Sequence, residues 1–521
     1  MSITETRPPA EDVGTTPEGD GADVTEARGL AGWLTTVDHR RIGRLFIGTA
    51  IISLVAGSVI GAILGAERID TGLSILDSDT FGQIYSFHGE LATFGFLVPL
   101  LLGLATAIVP PQVGSPDIAF PRGSATAFWT HLVGLCVLVG AYAANGGPTG
   151  GSAVAVDLHL LAIGLLNLAT LIALVSILTT ILTLRAPGMR LDRAPLFSWS
   201  LLTGGGLALL TIPVLLADLT VAYVAHHFGG ADAAASGGTS GLGWFSSVPQ
   251  VYVLAVPAAG IAAEVVPVFA RRALKPHAAG LVLLGLLAAV GFGAFAQVPD
   301  VRDDFLYVVM GIAAVLPALA LLGLLGDTLR RGSPKLQAPL LLAVGSVLLL
   351  FLGALAGGIG VIDPLDLQGT TWDAGQMHLV LYGGATLGAF AGLWYWAPKV
   401  WGVTLGESAG KAVFALTLLG VLLLALPDLV NGAVNDVPLG AADFDDDSLT
   451  VTMNVLSTIG GVLGVLGVLV AFGDLLGRVV RRSGRPAGDD PWGGHTLEWR
   501  PEGAPVSAVT SPTPLLAGDP A

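Results

Sequence analysis

The chain has 521 residues, of which 53% are hydrophobic and only 12% are charged, and its formal net charge is −15. A soluble globular domain carries about twice that share of charged residues, so the composition excludes a soluble protein and indicates one that crosses a membrane several times. The single cysteine, Cys136, excludes an intramolecular disulfide and a CxxC metal site.

Both ends of the chain differ from its apolar middle. Residues 1–35 are polar, acidic and rich in Pro and Gly, and they lack the basic start and apolar stretch of a signal peptide. From residue 483 onward the sequence again lacks apolar periodicity. We therefore expect disordered tails over 1–35 and 483–521, with one membrane domain over 36–482.

Twelve apolar runs lie between the tails, and each is long enough for the roughly 20 residues that a bilayer-spanning helix needs. Backbone groups in lipid must bond within their own segment, and the alternating pattern of a β-barrel is absent, so the runs predict an all-α integral membrane protein. The predicted spans are 42–65, 82–109, 125–145, 157–184, 196–224, 249–270, 277–297, 305–326, 338–360, 375–398, 411–434 and 451–477.

The charges in the loops predict the orientation of these spans. The loops before span 1 and after spans 4, 6, 8 and 12 are basic, whereas intervening loops such as PDVRDD and NDVPLGAADFDDD are acidic. The positive-inside rule then places both termini in the cytoplasm and the acidic loops outside. We expect a multi-pass protein of the plasma membrane, in contact with lipid and without a nucleic-acid partner.

Two histidines are the main candidate ligands, because ionisable groups inside a membrane are costly and tend to be functional. His88 in span 2 and His378 in span 10 lie a few residues inside spans that start from the same face. The two side chains are therefore expected at similar depth. The pattern alone leaves open whether each is a cofactor ligand or a hydrogen-bonded core residue.

The other histidines of the spans have plainer interpretations. We interpret His131 and His159 as helix-to-helix hydrogen-bonding groups, and His226–His227 as the solvated cap of span 5. A metal role for that pair stays open. So does the role of Glu264, a carboxylate in an otherwise apolar part of span 6.

Several segments together resemble subunit I of the haem–copper respiratory oxidases. They are VDHRRIGRLF entering span 1, FHGELATFGFLVP in span 2, WFSSVPQVYVLAVPAAGI entering span 6 and FAGLWYWAPKVWG ending span 10. The resemblance covers about residues 35–480 in order, and it implies that family's twelve-helix bundle. It also implies partner subunits, of the subunit II and III kind, and a cytochrome c-type donor at the acidic outer face.

The resemblance further implies a haem site. In the family, one histidine of span 2 and the second histidine of an H-x-H pair in span 10 hold a low-spin haem, and these positions match His88 and His378. The first histidine of the pair binds a high-spin haem, and histidines of spans 6 and 7 hold copper opposite it. The sequence does not give the haem type.

The positions expected around the second haem and the copper depart from the family pattern. Tyr252 is retained, but the expected ligands and proton-transfer groups are replaced by Val248, Gln250, Gln297, Val298, Leu321 and Gln376. Valine offers no lone pair to copper, and glutamine is a weaker axial ligand for iron than histidine. The substitutions predict no catalytic residue and no copper.

The surroundings of the first haem depart from the pattern too. The segment LPDLVNGAVND after span 11 lacks the arginines that pair with haem propionates in the family, and Gln368–Gly369 replaces an HD pair before span 10. Three hypotheses remain. The first is an electron-transfer subunit with one bis-histidine haem and no oxygen reduction. The others are an active cytochrome c oxidase subunit I and a haem-free structural or assembly subunit.

Overall fold

The computed structural model of the chain describes residues 29–71, 75–148, 150–229, 243–246, 248–297, 304–438, 440, 444–445, 447–501, 504–505 and 508–516. Within these residues, twelve helices are long and apolar enough to cross a membrane, which confirms the predicted number and order of the spans. They are α1 (His39–Glu67), α2 (Ser78–Val113), α3 (Pro121–Ala143), α4 (Ala153–Thr183), α5 (Leu196–Phe228), α6 (Gly243–Phe269), α7 (His277–Ala296), α8 (Phe305–Arg331), α9 (Ala338–Gly360), α10 (Thr371–Trp401), α11 (Glu407–Val434) and α12 (Ser448–Val480).

Short polar side chains fix where several of these helices begin. Asp38, Asp77 and Asp447 precede α1, α2 and α12, and each accepts a backbone N–H of the first turn at 2.8 Å. Such caps satisfy donors that have no partner within the helix. The far ends of α2 and α10 are closed by Gly114 and Gly402, whose φ angles of 76° and 73° suit glycine.

Glycine also allows neighbouring helices to approach closely. A Cβ built on Gly43 of α1 would lie 2.7 Å from the carbonyl oxygen of Gly103 on α2. The same holds for α11 and α12, where a Cβ on Gly420 would lie 2.9 Å from the Gly460 oxygen. Without a hydrophobic driving force between helices in lipid, such backbone contact supplies the packing energy. The frequent glycines of the sequence therefore serve the bundle.

Besides a π-helical turn that ends α12 (Leu476–Val480), two of the described spans contain internal π-helical turns, which the sequence pattern did not predict. In α2 the π-helix covers Leu91–Leu97, and in α10 it covers His378–Ala385. A π-turn shifts the register of a helix by inserting an extra residue, and such turns are frequent at functional sites. One begins at His378 and the other follows His88 by three residues.

The segment before α1 is a unit of its own. It contains a short helix, Gly29–Leu34, after which the Thr35 hydroxyl donates to the Ala31 carbonyl at 2.9 Å. The expected disorder of residues 1–35 is therefore wrong for this part. Residues 1–28 lie outside the described residues.

The expected disorder of residues 483–521 is also wrong for most of the C-terminal segment. Trp499 is buried, and the indole N–H of Trp492 donates to the Tyr395 carbonyl at 2.9 Å. Val509 pairs by its backbone N–H with the Pro187 carbonyl at 2.8 Å. The prediction of disorder was based on the absence of apolar periodicity. Two separate tryptophans and local turns hold this segment, and such contacts do not produce a periodic pattern. Residues 517–521 lie outside the described residues.

Glu498 joins the C-terminal segment to the membrane helices. Its Oε1 accepts from Gln112 at 3.2 Å and from the indole of Trp396 at 3.1 Å, so it connects the last turns of α2 and α10. Nearby, Glu264 accepts the backbone N–H of Leu196 at 2.8 Å, at the first residue of α5. A carboxylate at a helix N-terminus is favoured by the helix dipole, which gives Glu264 a structural role.

Candidate cofactor site between helices α2 and α10

A cavity of about 770 Å³ lies inside the bundle, with walls from α1, α2 and α6 to α12. It brings together all the predicted site residues that the structure describes. These are His88, Val248, Gln250, Tyr252, Gln297, Leu321, Gln376 and His378. Val298 lies outside the described residues. Helices that are far apart in the sequence thus meet at one enclosed space, as the resemblance implied.

His88 faces this cavity from α2, in a fixed ring orientation. Its Nδ1 lies 3.0 Å from the carbonyl oxygen of Gly57 on α1. A carbonyl can only accept, so Nδ1 carries the proton, and Nε2 keeps its lone pair when the ring is neutral. The ring also rests on α1 without a side chain between, since a Cβ on Gly61 would lie 2.7 Å from His88 Cε1. His88 is therefore oriented as a ligand through Nε2.

His378 is oriented in the same way from α10, but by a charged partner. Its Nδ1 lies 3.1 Å from Oδ2 of Asp428 on α11, and Oδ1 of that carboxylate accepts from the Ser457 hydroxyl at 3.2 Å. Asp428 is buried. A ligating histidine usually gives its second ring N–H to such a group, which fixes the tautomer. His378 thus also leaves Nε2 for a ligand bond.

Arg68, at the end of α1, lines the same cavity. Its Nε and Nη2 are buried and have no hydrogen-bond partner among the described residues, and the guanidinium carbon lies 6.0 Å from the centre of the Phe444 ring. A buried guanidinium without acceptors is costly, so its place suits an anionic group in the cavity. The resemblance implies such a cation only after span 11.

These features fit a haem of low spin. Such a group needs two neutral imidazole nitrogens, a flat space beside them and a cation for its carboxylates. The cavity offers Nε2 of both histidines, the glycine surface at Gly61 and the guanidinium of Arg68. The residues present therefore suit that cofactor.

The rest of the cavity does not fit a copper ion or a second haem iron. Its lining there is amide, phenol and aliphatic: Gln376, Gln250, Tyr252 and Val248. Gln297 donates to the Tyr307 carbonyl at 3.4 Å. Across the described ranges, no three His, Cys, Asp or Glu side chains are grouped so that they could hold a metal ion. Copper prefers imidazole nitrogens, which these positions do not provide.

The remaining histidines of the spans do not line this cavity. His159 on α4 makes the expected interhelical bond, with its Nε2 2.9 Å from Oε1 of Glu90 on α2. His131 is fully buried, but neither ring nitrogen has a partner in the part of the chain that the structure describes. It packs edge-on against Phe46 instead, so the expected hydrogen bond is wrong.

His226 and His227 bind one carboxylate. Their Nδ1 atoms lie 2.8 and 2.7 Å from the two oxygens of Asp157, which connects the end of α5 to the start of α4. The pair therefore joins two helices in addition to ending α5. It forms an ion pair when protonated, and the described residues add no further ligand that would make it a metal site.

Sequence reasoning missed Asp428, Arg68 and Gly61. Asp428 could have been found from the sequence, because it is a carboxylate inside an apolar span, and such a residue normally has a functional or structural partner. Arg68 lies at the end of α1, away from the segment after span 11 where the resemblance implies the arginines. No signal in a single sequence distinguishes Gly61 from the many glycines that serve helix packing.

Comparisons with known proteins show the family of the chain. The family model for "Cytochrome C and Quinol oxidase polypeptide I" matches residues 41–463. The chain is 32% identical over 499 residues to the putative cytochrome c oxidase subunit 1-beta of Streptomyces avermitilis, which covers 90% of this chain and 87% of that protein. It is 30% identical over 502 residues to cytochrome c oxidase subunit 1 of Corynebacterium diphtheriae, covering 91% and 88%.

The fold has a solved counterpart as well. A cryo-EM structure of a heme-copper terminal oxidase dimer superimposes with a TM-score of 0.68, at 16% identity, over 86% of this chain and 85% of that one. Together with the twelve helices, this similarity confirms the predicted fold.

Proposed function

Because this chain belongs to the cytochrome c and quinol oxidase subunit I family, we propose that it binds one low-spin haem between His88 and His378 and passes single electrons. It is an integral membrane protein of the cytochrome c oxidase subunit I type. The finer proposal is that the chain does not itself reduce oxygen. The observation that carries it is the contrast between two oriented imidazoles and an amide-lined remainder within one cavity.

The two histidines would supply both axial ligands. When bound, haem supplies a reversible one-electron couple at its iron. His88 and His378 hold their Nε2 atoms toward the cavity because the Gly57 carbonyl and the Asp428 carboxylate accept hydrogen bonds from their Nδ1–H groups. With both imidazoles as its ligands, the iron would have no coordination position left for oxygen. This favours electron transfer.

Arg68 would bind the carboxylates of the cofactor. Its unpartnered guanidinium nitrogens stand in for the arginines that the segment after α11 lacks. A charge-assisted hydrogen bond of this kind contributes about 1.5–3 kcal/mol.

The positions of the second metal centre support the absence of oxygen chemistry. Gln376 replaces the ligand of a second haem, and its amide nitrogen turns toward α9, 2.5 Å from where a Cβ on Gly357 would lie. Val248 replaces a copper ligand, and Gln250 cannot exchange a proton as a carboxyl group can. One cofactor is therefore proposed, and copper is not.

We further propose a place for the chain within a larger assembly. Family members work with other subunits, so subunit II- and III-like proteins are the proposed partners. The acidic loops suit a cationic donor of the cytochrome c type. The charge pattern of the loops supports a plasma-membrane protein with both termini in the cytoplasm.

The second candidate function is an active cytochrome c oxidase subunit I. It is favoured by the names of the relatives, which are cytochrome c oxidase subunits. It requires a second haem and copper held by residues other than those at the family positions, in or next to the cavity. Consumption of oxygen by the purified assembly with reduced cytochrome c would establish it.

A reduced-minus-oxidised absorption spectrum of the purified protein, with and without carbon monoxide, tests the proposed function. We expect one low-spin haem and no change with carbon monoxide. His88→Ala and His378→Ala should each lose the haem. His131 does not line the cavity, so His131→Leu should keep the haem. A carbon monoxide-binding haem would favour the second candidate. A wild-type protein without haem would leave only a structural role.

A further inference from the structure

The two histidines of the site differ in what their second ring nitrogen contacts. His88 faces a neutral backbone carbonyl, that of Gly57, whereas His378 faces the carboxylate of Asp428. We propose that Asp428 is a positioning residue that makes His378 an electron-rich ligand and so lowers the reduction potential of the iron bound there. This rests on the proposed binding of haem and names a property of that same site.

The charge of Asp428 has few other partners. Its side chain is 7% exposed, and no Lys or Arg of the described residues forms an ion pair with it. The contact of His378 is with Oδ2 of Asp428, and Oδ1 accepts one hydrogen bond, from the neutral hydroxyl of Ser457. A buried carboxylate is costly unless it is paired, so its interaction with the imidazole is its main compensation.

This compensation is larger when the iron is oxidised. A negative charge in a low-dielectric interior stabilises whichever state of a nearby group carries more positive charge. The ferric state carries one positive charge more than the ferrous state. In addition, a hydrogen bond to a carboxylate raises the basicity of the imidazole and strengthens its bond to the metal. Both effects of Asp428 favour the oxidised iron, and both act through His378.

A lowered potential has a consequence for the electron-transfer role. A site held toward the oxidised state is a better reductant once it has been reduced. It must then be supplied by a donor of still lower potential. Asp428 thus limits favourable electron supply to donors whose potential lies below that of the site, a limit that His88 and its carbonyl partner do not lower.

Potentiometric titration of the purified full-length protein tests this role. Asp428→Asn keeps the size of the side chain and removes the charge. We expect haem to stay bound with two histidine ligands. At an ambient potential equal to the wild-type midpoint, the ratio of reduced to oxidised haem should rise about tenfold, which corresponds to 59 mV for one electron. Asp428→Glu should restore most of the low potential.

The matched control is Asp373→Asn. Asp373 lines the same cavity, and its carboxylate accepts from the Gly369 backbone N–H, whereas the Asp428 carboxylate faces His378 Nδ1. An equal shift in Asp373→Asn and Asp428→Asn would show a general effect of charge and overturn the role through His378. The electron paramagnetic resonance signal of the ferric form, which reports axial ligand strength, should change only in Asp428→Asn.

A second variant keeps the test decisive if Asp428→Asn fails to assemble. Ser457→Ala removes the only other hydrogen bond that a described side chain makes to the carboxylate of Asp428 and leaves more of the carboxylate charge to His378. We expect the midpoint to fall below that of the wild type, and an unchanged or higher midpoint would overturn the inference. A wild-type protein without haem refutes the proposed function itself, which is a different result from a bound haem that ignores Asp428.

Discussion

Gly61→Ala is the sharpest perturbation of the haem site, because it places one methyl group against the ring of His88. The Cβ would lie 2.7 Å from Cε1 and 3.3 Å from Nε2 of that imidazole. Carbon atoms in contact prefer about 3.5–4.0 Å, so the ring must move by about 1 Å. A metal–nitrogen bond tolerates a change of only about 0.2 Å, and the ring is also tied to Gly57 by its Nδ1.

We therefore expect Gly61→Ala to lower haem affinity by about 10- to 100-fold, the range seen when the support of a metal ligand is disturbed. The helix itself should tolerate alanine, which is a better helix former than glycine by about 1 kcal/mol. The assay is haem per protein chain and the low-spin absorption bands after purification. Gly48→Ala on the same helix is the control, because a Cβ there meets nothing within 4 Å. Full haem content in Gly61→Ala with unshifted bands would refute the placement of the cofactor beside α1.

Three further predictions concern the charges around the site and at the ends of the bundle. Arg68→Gln should lower haem affinity about tenfold or more, and Arg68→Lys should have an intermediate effect. The measurement is haem retention during dilution. Equal retention in the wild type and both variants would show that Arg68 does not bind the cofactor. Asp157→Asn should leave the haem content unchanged. It should lower the free energy of unfolding by no more than about 1 kcal/mol for each histidine contact, because the His227 side chain is 46% exposed to solvent. Burial lowers the pKa of His495 from 6.5 to about 4. Between these two pH values the detached segment binds a proton at His495 and the packed segment does not, so packing becomes less stable as the pH falls. Protease sensitivity of the C-terminal segment should therefore rise as the pH falls through that window. Burial raises the pKa of Glu498, which acts in the opposite direction, so the pH series is best run in a Glu498→Gln background, where adding His495→Gln should abolish the remaining pH dependence.

The twelve spans could be predicted because the signal for them is local. Each is a run of apolar residues whose length is set by the bilayer, and loop charge adds an independent alternation. Eight positions selected by resemblance line one cavity, although their roles stay predictions. The ring orientations of the two histidines could not be predicted, because these depend on Gly57 and Asp428, which lie on other helices than the histidines that they contact.

The errors have a common physical cause. The C-terminal segment is held by a few long-range contacts, such as those of Glu498 with α2 and α10, and such contacts leave no periodicity. The π-turns beside His88 and His378 change the register without changing the composition. His131 was assigned a hydrogen bond on general grounds, but the aromatic side chain of Phe46 occupies the place of a polar partner. Each of these features is decided by the neighbouring helix, which one sequence does not reveal.

The most direct measurement of the central claim is the number of iron and copper atoms per chain in the purified protein, by elemental analysis. Ligation by His88 and His378, next to positions occupied by Val248 and Gln376, predicts a single iron and no copper. Two irons together with one copper for each chain would contradict it.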